Sequence, residues 1–217
     1  MKSILFGILF LFCVSTAAAQ NSAKKARDKS AHKKLTPLEE LAQHKESYDY
    51  CAFTNKYTAQ QRLKLYPFSK ATKILAVSYD SPGFGQTDDD PAAVAYAQTV
   101  GLHVKDGILN HSTLHEVKEL SALQINELTN ILFNTNYRKI GTNGYSFGKC
   151  FEPRNAFVFF NAEGKVFDYL QICFECKNSS SSTDKIDVGV LCTQKYDLLR
   201  KYMIALGIKR GSSLNEK

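Results

Sequence analysis

The sequence predicts an α+β fold: a single domain with a mainly antiparallel sheet and helices packed on one side. Three observations carry this. The strongest strand pair, Ala156–Phe160 and Val166–Ile172, is separated only by Asn161-Ala162-Glu163-Gly164, which is a hairpin spacing. Helical and strand patterns follow one another without the regular βαβ alternation of a parallel sheet. From Thr36 to Lys209 the chain is long enough for a single sizeable core, so one domain is expected.

The elements follow in order. Thr36-Pro37-Leu38-Glu39 is a capping box with proline in the first helical position, and Leu38, Leu41 and Ala42 give the helix an apolar stripe fading near Tyr50. Lys73–Tyr79 reads as a buried strand by its continuous apolar run. Ser81-Pro82-Gly83-Phe84-Gly85 breaks structure, and Asp88-Asp89-Asp90-Pro91 opens a short alanine-rich helix through Gln98. Leu114–Leu120 reads as a strand, and Ser121 caps an amphipathic helix to Leu132. The serines from Asn178 to Thr183 read as a loop and Ile186–Leu191 as a strand. The last helix, Thr193–Leu206, places Tyr196, Leu199, Tyr202, Met203 and Leu206 on one face, and Gly207 ends it. Residues 210–217 read as a polar tail.

The N-terminus gives an address. Residues 1–19 combine Lys2, an apolar run from Ile4 to Val14 and an Ala17-Ala18-Ala19 cleavage pattern, which is the composition of a removed secretory signal. The run is too short for a bilayer, and no later stretch has the length of a membrane helix. The expectation is an exported protein, periplasmic or extracellular. Residues 20–35 read as a basic disordered linker that holds most of the formal +7 charge in Lys24, Lys25, Arg27, Lys29, Lys33 and Lys34. Without interleaved aromatics this run does not read as a nucleic-acid site, although it suits contact with an anionic surface.

Cleavage removes Cys13 and leaves an odd set: Cys51, Cys150, Cys173, Cys176 and Cys192. Hairpin register places Cys150 at one foot and the Cys173-Phe174-Glu175-Cys176 pair at the other, and Cys192 can return to the same end. Three chemistries fit. Disulfides suit an oxidising compartment. Four thiolates from Cys150, Cys173, Cys176 and Cys192 suit tetrahedral zinc, the one cofactor that the sequence offers as an alternative to none. Thiol–disulfide exchange at Cys173 and Cys176 is the third, disfavoured because Glu175 and the serines that follow do not stabilise a thiolate. Cys51 is expected to be buried or paired with Cys192.

Other groups carry less. Arg154 beside the cysteines suits a carboxylate or phosphate, or a bridge to Glu152 or Glu175. His111 and His115 are four apart but fall where a strand is expected, and Asp88–Asp90 lack the spacing of a calcium loop. No serine-hydrolase elbow, phosphate loop or His-Glu-x-x-His run occurs.

Two resemblances attach to the same stretch. Pro153–Phe160 with Glu163–Val166 resembles the terminal hairpin of thioredoxin-like proteins, where a cis-proline precedes the strand. The departure is that here the Cys-x-x-Cys follows the hairpin instead of lying upstream at a helix start. The order Cys-x-x-Pro-Arg, aromatic strand, Gly-Lys turn and Ile-Cys-Phe-x-Cys, from about Leu120 to Cys176, resembles exported bacterial proteins of no assigned function. That resemblance implies export and supplies no activity, leaving the functional question open. The functional expectation is a cysteine-stapled binding or interaction module, with a zinc or redox protein as the alternative and catalysis not expected.

Overall fold

The computed structural model describes residues 51–83, 90–137, 150–188 and 193–213. The elements are β1 (Cys51–Phe53), α1 (Ala59–Leu63), β2 (Lys73–Tyr79), α2 (Pro91–Thr99), β3 (Val104–Lys105), β4 (Ile108–Leu109), β5 (Leu114–Glu119), α3 (Ala122–Asn134), β6 (Thr135–Tyr137), β7 (Asn155–Phe160), β8 (Val166–Cys173), β9 (Asn178–Ser181) and α4 (Thr193–Ala205). Five strands form one sheet in the order β5-β2-β7-β8-β9, with every neighbouring pair antiparallel. The fold is α+β, as the hairpin predicted. The signal and linker residues, the helix expected from Thr36, Asp88, Asp89 and Cys192 lie outside the described residues.

Period-two alternation sends alternate residues of β2 and β7 to opposite faces. Ile74, Ala76, Phe157 and Phe159 meet Leu128, Ile131 and Leu132 of α3 and Tyr196, Leu199 and Met203 of α4. Leu75, Val77, Ala156, Val158 and Phe160 face the other way, toward Leu109, Val104 and Leu102. Both faces of the central strands are therefore covered, which is why β2 and β7 read as unbroken apolar runs. Burying one such side chain stabilises by about 1.5–3 kcal/mol.

Local signals formed as their chemistry requires. Ser121 caps α3 in a capping box with Gln124, and Asp90 caps α2 through the Ala92 amide at 2.9 Å. In the central hairpin Phe160 pairs with Val166, the register shifts at Phe159/Phe160, and Gly164 takes the turn at φ 73°. Lys195 of α4 is fully buried, and its ammonium group donates to the carbonyls of Leu132 and Val188. Burial lowers its pKa to about 8.

Three expectations change. The serine stretch is not simply a loop: Asn178–Ser181 is edge strand β9, pairing Leu170 with Ser181 and Cys173 with Asn178. Backbone pairing with β8 overrides the weak strand preference of serine. Ile186–Val188 is irregular chain, because β9 already takes the free edge of β8 and Ile186 reaches the core from a loop. The tail does not begin at Arg210. The amides of Lys209 and Arg210 both donate to Glu116 at 2.9 Å, the Arg210 side chain grips Asp80 at 2.6 Å, and Ser212 is buried. Residues 209–213 thus dock across β5 and β2.

Gly211 is the tight point of this docking. Its φ is 69°, and a Cβ there would lie 2.6 Å from Arg154 Cβ and 2.8 Å from Asn155 Oδ1. Gly211→Ala is expected to lower stability by about 1–3 kcal/mol, read as an earlier urea midpoint with an unchanged slope. An unshifted midpoint would show that the segment is not docked in solution.

Candidate functional site

Strand β8 ends at Cys173, and Phe174 to Lys177 turn the chain back into β9. Lys177 takes the left-handed conformation at φ 50° that this tight reversal needs. Cys176, inside the turn, is bonded to Cys150 with a Cα–Cα separation of 5.9 Å. The register reasoning therefore brought Cys150 to the correct end. The bond closes a segment with a sequence separation of 26, a loop whose restriction in the unfolded chain stabilises by about 3–4 kcal/mol.

Cys173 is left as a free thiol, only 1% exposed, and its sulfur accepts the Cys176 amide proton at 3.3 Å. Of the four cysteines read as a metal set, Cys150, Cys173 and Cys176 meet at this turn, with two of them committed to a disulfide. Among the described residues no group of three or more histidines, cysteines or carboxylates stands arranged to hold a metal ion. Cys51 opens β1, in a separate two-stranded ribbon with β6.

The surrounding residues sort as follows. Arg154 reaches toward Glu175, with Nη1 4.0 Å from Oε1, one of the two bridges open to it in the sequence. Arg200 of α4 lies over the Phe174 ring at 5.2 Å. Pro153 is not in the cis form; among the described residues the cis peptide is Tyr66–Pro67. His115, in β5, contacts Asp80 at 3.0 Å, whereas His111 sits in a 3₁₀ turn at His111–Thr113.

Sequence reasoning missed Asp168. It faces the helix side of β8, 1% exposed, opposite Phe159. Its carboxylate accepts from Tyr66 Oη at 2.8 Å, Ser182 Oγ at 2.6 Å, Ser181 Oγ at 3.1 Å, the Tyr169 amide at 2.8 Å and the Thr183 hydroxyl. Burial pushes its pKa up, but the hydroxyl and amide donors outweigh burial and hold it below the usual carboxylate value. The available signal was a lone acid in an apolar strand followed by a hydroxyl-rich run.

On the opposite face, a concavity of about 700 Å³ opens beside the β3–β4 ribbon. The ribbon is anchored where the Val166 amide donates to the Gly107 carbonyl at 2.8 Å. Leu102, Val104, Ile108 and Leu109 supply apolar wall, while His103, His111, Lys105 and Tyr169 supply polar groups. His103 Nε2 is fixed 2.6 Å from the Val100 carbonyl. Burial, with a smaller contribution from the Asp168 charge, raises the Tyr169 phenol above its ordinary pKa, so it is a neutral donor.

No protein-family model, curated protein or solved structure matches this chain. The functional reading rests on the geometry.

Two outcomes follow. Non-reducing digestion should yield a linked Cys150–Cys176 peptide pair, with Cys173 alkylated only after denaturation. Rapid labelling of Cys173 in the folded protein would contradict its burial. Asp168 has a folded pKa below its unfolded one, so it stabilises above the unfolded value and loses that contribution as pH falls through the folded value. Asp168→Asn is expected to cost about 1–3 kcal/mol at neutral pH, with the gap to wild type narrowing below about pH 4 in urea titrations.

Proposed function

We propose that this is an exported, disulfide-stapled binding module that acts through the concavity beside the β3–β4 ribbon. The observation that carries the reading is that concavity, with apolar wall and polar groups converging on one opening of the size small ligands occupy. Lys105 offers a cation at its edge, His103 and His111 offer ring nitrogens, and Tyr169 offers a neutral hydroxyl. The complementary occupant is a small molecule with an apolar body and one anionic group. The sheet supports the site rigidly, because Tyr169 projects from β8 beside Val158.

Export is supported by the signal-like N-terminus and agrees with a disulfide, which persists in oxidising compartments. In this reading the basic stretch from Lys24 to Lys34 is a spacer able to rest on an anionic surface, and the disulfide braces the end of the sheet.

An anilinonaphthalene sulfonate, an aromatic body bearing one anionic group, is a direct probe. It should bind the folded protein at one site, with Tyr169→Ala and Lys105→Glu each weakening the fluorescence response. Absent binding, or binding that neither variant changes, would overturn the reading.

A further inference from the structure

The Cys173–Lys177 turn has features that a disulfide to Cys150 does not require. Cys173 is a thiol held inward beside a bonded pair, and it receives a backbone amide proton from Cys176. Two cysteines three residues apart, with a left-handed residue directly after the second, have the spacing of a knuckle that supplies two sulfur ligands to a metal. The third sulfur is already there, because Cys150 is bonded to Cys176.

We infer that reduction of the Cys150–Cys176 bond converts this turn into a three-thiolate site for a soft divalent cation, with zinc the best fit. A dithiol reductant gives two electrons and two protons to the disulfide, leaving Cys150 and Cys176 as thiols and itself as a disulfide. Binding the cation then releases one proton from each of Cys150, Cys173 and Cys176, and three sulfur–metal bonds form. Zinc–sulfur bonds of about 2.3 Å require sulfurs about 3.8 Å apart. The Cα–Cα distance of 5.9 Å between Cys150 and Cys176 lets side-chain rotation open that gap without moving the strands.

The charge balance also suits this site. Three thiolates around a divalent ion carry one net negative charge, and Arg154 and Arg200 both lie against the turn. The fourth position stays open for water or an outside ligand, as in zinc sites that do more than brace a fold. The inference does not rest on the concavity beside the β3–β4 ribbon.

The test reduces the folded protein with a phosphine under anaerobic conditions and titrates it with cobalt(II). Thiolate-to-cobalt charge-transfer absorption should grow to one equivalent per chain, be displaced by zinc, and be absent from the oxidised protein. Cys173→Ser and Cys150→Ser should each abolish it. Cys150 is exposed, so its serine variant leaves the core packing intact. A reduced, folded protein with no charge-transfer band overturns the inference, and so does a band that survives in Cys150→Ser.

Discussion

Asp168 places a carboxylate inside an apolar sheet face, where an unpartnered charge would cost many kcal/mol or be neutralised. It stays ionised because Tyr66, Ser181, Ser182 and Thr183 turn hydroxyl protons toward it and Tyr169 adds its amide. Those donors come from the chain before β2, from the end of β9 and from the turn after it. The same carboxylate therefore fixes where the edge strand ends, how the chain leaves it, and how the segment before β2 lies across the sheet. Serine is a poor strand former, and β9 exists because its backbone completes β8 while its last hydroxyl completes Asp168.

With β9 fixed, its first residue is fixed as well. Asn178 pairs with Cys173, so the chain must reverse through Phe174–Lys177, and that reversal sets Cys176 against Cys150. The sulfur chemistry at one end of β8 thus depends on a polar clamp farther along the same strand. Alternation along the strand does the rest. Asp168 faces the helices, and Tyr169, its neighbour, faces the ribbon and lines the concavity. The charge of Asp168 helps keep the Tyr169 phenol protonated, so the two faces of the sheet are linked electrostatically through one peptide unit.

Much of the architecture was legible because it rests on local rules. The hairpin turn at Gly164, the cap at Ser121 and the run Lys73–Tyr79 each state their own geometry, and register alone brought Cys150 to the Cys-x-x-Cys end. What was not legible depended on distant partners. Nothing near Asn178–Thr183 announces that an acid ten or more residues upstream needs its hydroxyls. Nothing in Lys209–Ser213 announces that Glu116 and Asp80 await its amides and its arginine. The short helix α1 did carry a readable capping box, Thr58 to Gln61, but its burial rests on Arg62 meeting Thr129 and Asn126 in α3. The concavity had no sequence signature, because its wall is assembled from a two-stranded ribbon and one residue of β8.

The odd cysteine acquires a meaning from this arrangement. A staple between Cys150 and Cys176 needs no neighbour, and a small apolar residue would fill the site of Cys173 as well by volume. Cys173 instead holds the last position of β8, with its sulfur turned to the amide of the bonded Cys176. An inward residue at a strand end is positioned by the sheet, whereas Cys150 lies before the first residue of β7 and is exposed. The three sulfurs are therefore unequally placed: one buried at a strand end, one in a tight turn and one exposed ahead of β7. A purely structural bridge does not call for the buried third sulfur. A site that changes with the redox state does, because side-chain rotation at the exposed Cys150 can open the gap to Cys176 while Cys173 stays in place at the end of β8.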